Sequence, residues 1–317
     1  MHEEDEVEFR EFIRAVGDAG IHLVCAAGPE GVAAAALFAK AFKRARVRHV
    51  GTTVLGLGQR IDAPEVRAWL ADAPALLLVG IAARGDSHVP VLSVLGDDHE
   101  PLAARAFRFS ETLAMLGDAT WCAAAALLGS AEPQLLVERA LGRHTRADLA
   151  EIGELLDAAE RGPESSQDSL AALEMLAAAP DPRRFLASVP GETLRRTQVR
   201  VHAELARAIH LKPRPGFGVV VVEYDSACRL EDRVAERWRG LRPGTVVLVA
   251  NHGLVAGHVA VTARAAVREA LDRLRYALDD EGTTLLDPAT WAELRRRLGV
   301  TPADLERHAY ELSALPN

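Results

Sequence analysis

Cysteine is scarce in this 317-residue chain, and the three present, Cys25, Cys122 and Cys228, are odd in number, far apart and outside any CxxC spacing. That excludes a disulfide framework and a structural zinc site, and it predicts buried thiols. No uninterrupted apolar run reaches membrane-spanning length, so no membrane partner is expected. The opening segment MHEEDEVEFREF is acidic where a secretory signal would be basic and then apolar, which makes the cytoplasm the expected location. Positive charge is short as well: the net charge of -8 gives no global footprint for nucleic acid, although a local basic groove stays compatible with it. The chain also has no internal repeat, no GxxxxGK[ST] phosphate loop and no dinucleotide-type glycine fingerprint.

What is present is apolar surface, at 49% hydrophobic residues, enough for one large core and a smaller one. An amphipathic opening helix carries Val7, Phe9, Phe12, Ile13 and Val16 at helical spacing. A strand over 21–25, a GPEG turn, an alanine-rich helix over 32–44 and a strand over 47–54 then read as a βαβ unit. A helix over 64–71 and strands over 75–79 and 89–95 continue the pattern, and residues 110–187 read as helices only. The expected fold class is α/β, a doubly wound and mainly parallel sheet with a helical layer, followed by a second, smaller α/β domain. The boundaries are set at 1–190 for the first domain, 191–214 for a helical linker running into KPRPGFG, and 215–317 for the second. In the second domain the pattern predicts strands over 219–224, 245–250 and 255–262, helices over 230–239 and 265–278, and a helical tail over 287–312.

In an open α/β sheet ligands sit outside the carboxyl ends of the strands, which directs attention to the loops GPEG, GIAARGDSH and GDDHEP. Glu30 stands at a helix N-terminus, where the dipole favours a carboxylate even without a ligand. Asp97, Asp98, His99 and Glu100 follow directly on an apolar strand, and carboxylate plus imidazole suits manganese, iron or zinc, although a run of acids is also an ordinary solvated turn. Asp86 and His88 could add ligands from the neighbouring loop. His22 and His49, in or beside strands, are read as hydrogen-bonded structural residues. In NHGLVAGHVAVTAR a hairpin would bring Asn251, His252 and Arg264 to one small sheet, where an arginine can hold a phosphate bidentately or serve as a surface ion pair.

These loops, in this order, resemble the DHH phosphoesterase superfamily. IHLVCAAGPEGVAAAALFAKAF is similar to the family's first motif, GDDHEP to its Asp-His-His motif followed by proline, and LGDATWCAAAALL to the alanine-rich helix after it. SLAALEMLAAAPDPRRFL and VVVVEYDSACRLEDRVAERWRG look like archaeal-type members, and NHGLVAGHVAVTAR like the strand and Ser-x-Arg element of the DHH-associated second domain. In the matching register the first-motif histidine falls on Ala26, its first aspartate on Gly28 and its second on Glu30. The second-motif aspartate falls on or near Gly80, and a later one within ALGRHT, where Arg143 stands. Asp97 and His99 keep their places, while Asp98 replaces the first histidine. The glycine-rich GGHP-type loop expected after Arg264 has no counterpart in YALDDEGTTLLDP.

Such phosphoesterases use two bridged metals to activate water and stabilise an in-line transition state, which needs five or more well-placed ligands. Three or four remain here, so the resemblance implies a homologue without two-metal catalysis. Such a protein would keep an interdomain cleft for a nucleotide, a nucleic acid or a protein partner, with manganese or another divalent metal as the one cofactor the residue types allow. A manganese-dependent phosphodiesterase or nuclease, using a rearranged or single-metal site of Glu30, Asp97, Asp98 and His99, is the first alternative. A structural or assembly protein with a vestigial cleft is the second.

Overall fold

The computed structural model describes residues 2–83, 87–97, 99–128, 135–242, 244–264 and 283–300. The chain divides into two compact units, residues 1–200 and 201–317.

In the first unit, helix α1 (His2–Val16) leads into β1 (Ile21–Ala26), α2 (Pro29–Ala45), β2 (His49–Leu55), α3 (Pro64–Trp69), β3 (Leu76–Val79) and β4 (Val91–Val94). The four strands pair in the order β2-β1-β3-β4, and every pairing is parallel. Parallel strands are covered on both faces, which explains why β3 reads LLLV with every residue buried. Successive side chains point to opposite faces of the sheet. Leu23, Cys25, Leu77 and Val79 join the large core, while Val24, Leu76 and Leu78 meet Val66 and Leu70 of α3 and the turn after it. The alanine run of α2 keeps that helix slim, so it packs closely against its neighbours; Ala33 to Ala36 are all fully buried.

A helical layer follows: α4 (Leu102–Glu111), α5 (Thr120–Leu127), α6 (Leu135–Leu141), α7 (Arg146–Arg161), α8 (Ser165–Ala178) and α9 (Pro182–Leu186). Phe9 of α1 stacks on Phe109 of α4 with ring centroids 5.1 Å apart, tying the opening helix to this layer. Lys40, buried among α2, α5 and α8, donates from Nζ to the Ala179 carbonyl at 2.7 Å. It thereby caps α8, and burial lowers its pKa. Cys25, Cys122 and Cys228 are free and buried, and burial pushes the Cys25 thiol up to about 12.

The stretch expected to be a linker is mostly one helix, α10 (Val189–Ala208). Its Thr197 donates to Asp168 of α8, whereas Val201 and Ala208 belong to a core of the second unit.

The second unit contains β5 (Arg214–Pro215), β6 (Val219–Tyr224), α11 (Glu231–Leu241), β7 (Val246–Asn251), β8 (Val259–Arg264), β9 (Thr283–Leu286) and α12 (Pro288–Arg297). Its sheet runs β5-β6-β7-β8-β9, with β6 and β7 parallel through α11 and the other pairs antiparallel. One face packs on Trp291 and Leu294 of α12, the other on Val234 and Ala235 of α11 and the end of α10. The fold is therefore the α/β class expected: a parallel sheet flanked by helices, plus a second mixed sheet. Three details differ. β8 starts at Val259, several residues later than the pattern predicts, because the turn after Asn251 extends through Gly257 and His258. The short strands β5 and β9 have no counterpart in the sequence pattern. The tail helix ends at Arg297, capped at its start by Asp287, which accepts from the Ala289 and Thr290 amides at 3.0 Å. The helix expected over 265–278 and the tail beyond residue 300 lie outside the described residues. No helix among the described residues is long and apolar enough to cross a membrane.

Candidate functional site

The order β2-β1-β3-β4 reverses between β1 and β3, and the carboxyl ends of these strands form the edge where an open sheet places its ligands. Glu30, in the first turn of α2, reaches the N-terminus of α4: its Oε2 accepts from the Ala103 amide at 3.4 Å. Gly80, just after β3, has φ +71°, and a Cβ there would come within 2.9 Å of Leu102 Cδ2. Leu102 is 8% exposed, so a leucine occupies the space beside Gly80. A Cβ on Gly28 would face the Glu160 carboxylate, 3.6 Å from Oε2.

Asp97 opens the loop after β4 and folds it on itself. Its Oδ1 accepts from the amides of His99 at 2.8 Å and Glu100 at 2.9 Å, and its own amide donates to the Glu100 carbonyl at 3.0 Å. Its Oδ2 is paired with Nη2 of Arg105. The Glu100 and His99 amides, with Arg105 adding to them, hold the Asp97 carboxyl down to about 2.

Arg105 and Arg108 stand one turn apart on α4, so both project toward the same loop. Arg105 also donates through Nε to Glu100 Oε2 at 3.0 Å and through Nη1 to the Leu95 carbonyl at 2.7 Å. Arg108 grips Glu100 with Nε and Nη2, at 2.9 and 2.7 Å, and reaches Glu6 of α1 at 2.8 Å. Burial alone would push the Glu100 carboxyl up, but the bonds from Arg108 and Arg105 outweigh it and hold the group below its ordinary range. The two loop carboxylates are thus bound to two guanidiniums of the next helix.

Among the described residues, the expected ligands Glu30, Asp97 and His99 form no group that could hold a metal ion. Asp98 and Asp86 lie outside the described residues. His99 has an exposed side chain and contributes its backbone amide, and Glu30 bonds α4. Arg143 donates to the Gly117 carbonyl at 2.6 Å. Among the described residues no group of three or more His, Cys, Asp and Glu side chains could hold a metal ion. His22 bonds Thr53 Oγ1 at 2.9 Å, in line with the structural role expected of it. Among the described residues the donors therefore do not make up a ligand set for a pair of bridged divalent ions. Gly28 and Gly80 offer no ligand, Leu102 fills the space beside Gly80, and Asp97 already spends both oxygens on protein donors.

The residues singled out in the second unit separate. Asn251 is fully buried at the end of β7 and spends its whole amide internally. Its Oδ1 accepts from the amides of Ser226 and Gly253 at 3.0 and 3.1 Å, and its Nδ2 donates to the Cys228 carbonyl at 3.0 Å and to Glu231 Oε1 at 2.8 Å. It holds loops together and has nothing left for a substrate. Arg264 pairs with Val247 at the far end of the same strand pair, whereas Asn251 pairs with Ala260. Four residues of strand put Arg264 about 13 Å from the Asn251 end, so Arg264 and His252 stand at opposite ends of the strand pair. Arg264 Nη1 donates to the Ala263 carbonyl at 3.0 Å. His252 instead meets Glu223 at 3.3 Å.

The chain thus carries one unit with a parallel sheet and its loops at the carboxyl edge, and a second unit with a mixed sheet. Solved structures give this architecture a name: the chain has a RecJ-like DHH fold. It resembles an exonuclease RecJ bound to manganese with a TM-score of 0.61 and 16% identity, over 99% of this chain and 95% of that one. It also resembles RecJ from Thermus thermophilus in complex with Mn2+, with a TM-score of 0.63 and 16% identity, covering 94% of this chain and 54% of that longer protein. The DHH domain of a protein assigned to a family of ribosomal proteins gives 0.60 and 13%, over 100% and 92%. No family model and no curated protein matches the sequence.

Proposed function

We propose that this chain is a DHH-fold protein that binds and does not cleave, without the two-metal catalysis of a phosphoesterase. The observation that carries the reading is the closed charge network after β4, where Arg105 and Arg108 take the carboxylates of Asp97 and Glu100. A divalent ion entering there would have to displace a guanidinium already paired with Asp97, and like charges in one small space repel. Leu102 beside Gly80 supports the same reading, because apolar bulk stands where the resemblance calls for an acidic ligand. The expected ligand is a phosphate-bearing one, a nucleotide or a nucleic acid strand, since the architecture is shared with nucleases while the hydrolytic ligands are reduced.

The test is hydrolysis by the full chain of short 5′-phosphorylated oligonucleotides, mononucleotide 3′,5′-bisphosphates and cyclic dinucleotides with Mn2+. Product formation at the level of the no-protein control is expected. Turnover that disappears in Asp97→Ala would overturn the proposal in favour of a rearranged or single-metal hydrolase.

A further inference from the structure

At the carboxyl ends of the parallel pair β6 and β7, on the face packed against α12, the carboxylate of Glu223 is 2% exposed and meets more positive charge than it cancels. Its Oε1 accepts from Trp291 Nε1 at 2.9 Å and from Arg295 Nη1 at 3.1 Å, and the His252 ring lies at 3.3 Å. Its Oε2 lies 3.3 Å from Arg295 Nη1 and 3.4 Å from Arg214 Nη1. Burial pushes the Glu223 carboxyl up, yet the bonds from His252 and Trp291 and the charge of Arg295 overcome it and keep the group ionised.

Both guanidiniums stay protonated at any pH the protein tolerates, so two positive charges share one buried negative charge. Neither arginine has a second carboxylate partner among the described residues. Among the described residues, Arg214 Nη1 has the Glu223 ion pair at 3.4 Å but makes no hydrogen bond, and Arg295 Nε makes none either. Buried charged donors call for an acceptor. The cluster also reaches the surface: the His252, Arg214 and Arg295 side chains are 32%, 19% and 12% exposed, with Glu223 beneath them. A parallel βαβ pair places ligands at this same end of its strands.

We propose that Arg214, Arg295 and His252 form a binding site for a compact oxyanion of the phosphate class, with Glu223 holding the two guanidiniums in place beneath it. The planar fork of arginine matches phosphate oxygens, and the surplus charge gives the anion its attraction. Glu223 opposes the anion while ordering its receptors, so binding is reversible and exchangeable. The site deepens the binding reading above and rests on it only for the source of the phosphate. It does not depend on whether the first unit hydrolyses anything.

The experiment is calorimetric titration of the full-length protein with inorganic phosphate, against chloride at matched ionic strength. A 5′-phosphorylated dinucleotide and the same dinucleotide without its 5′-phosphate form parallel arms. Saturable phosphate binding is expected, weakened about tenfold or more in Arg214→Gln and less in Arg214→Lys. Binding tightens in Glu223→Gln, which removes the opposing charge. A purely structural ion cluster would give no phosphate heat in the wild type and no gain in Glu223→Gln, and either result overturns the site. Equal affinity in Arg214→Gln overturns it too, since the anion would then sit elsewhere. If Arg214→Gln fails to fold by circular dichroism, the wild type and Glu223→Gln decide. Tighter binding of the phosphorylated dinucleotide than of phosphate makes a nucleic acid end or nucleotide the source, and equal binding makes it free phosphate.

Discussion

Arg105 of α4 pairs its guanidinium with Oδ2 of Asp97, the aspartate that the resemblance aligns with the Asp-His-His motif, so that the helix after the loop takes up the loop's own carboxylate. Asp97 Oδ1 is spent as well, on the amides of His99 and Glu100. The loop is folded by its own carboxylate and closed by the next helix.

The pH dependence of stability follows from that pairing. The folded-state pKa of Asp97 is depressed from 3.8 to about 2, so its contribution is fully present above the unfolded value and is lost as pH falls through the folded one. Thermal melts of wild type and Asp97→Ala should therefore differ by a constant amount above about pH 4 and converge toward pH 2. A difference that persisted unchanged at pH 2 would contradict the pairing.

Gly80 gives a steric forecast. Gly80→Asp places a side chain at φ +71° and a Cβ 2.9 Å from Leu102 Cδ2, combining left-handed strain with overpacking. Urea denaturation should show a loss of about 2–4 kcal/mol. In the double variant Gly80→Asp with Leu102→Ala, part of the loss attributable to contact should return, and strictly additive losses would mean that Leu102 does not fill that space.

Glu223→Ala leaves Arg214 and Arg295 without their buried counter-charge. Breaking a buried pair on one side costs about 3–5 kcal/mol, so chemical denaturation in chloride buffer should show a loss of that size. A change below about 1 kcal/mol, the value of surface pairs, would mark the cluster as solvent-screened.

Asn251→Ala removes a fully buried amide that makes four hydrogen bonds and leaves the Ser226 and Gly253 amides without acceptors. A loss of about 2–4 kcal/mol is expected from two or more unsatisfied buried groups. Unaltered stability would reinstate Asn251 as a surface residue open to ligands.

The first unit is legible in the sequence because a strand such as LLLV, buried on both faces, and a helix as alanine-rich as α2 leave few other readings. The candidate site is legible only as residue types. Arg105 and Arg108 escape notice because arginines one turn apart on an amphipathic helix look like an ordinary solvated face. Nothing in PLAARAFRF says that the preceding loop turns back onto them. The hairpin does bring Arg264 to the same sheet as His252, but antiparallel register carries it to the opposite end of the strand pair. Arg214 and Arg295, which do flank Glu223 beside His252, sit far from it in sequence, in a two-residue strand and a helix that reads only as an exposed tail. Glu223 itself, inside VVVVEY, carries the clearest missed signal: an acid in an apolar strand requires a buried partner.

The most direct test of the account is manganese binding by the wild-type chain, measured by equilibrium dialysis with elemental analysis at neutral pH. No stoichiometric binding that depends on Asp97 is expected, because its carboxylate is held by Arg105 and by the loop amides. Two manganese ions per chain, lost on Asp97→Ala, would contradict it.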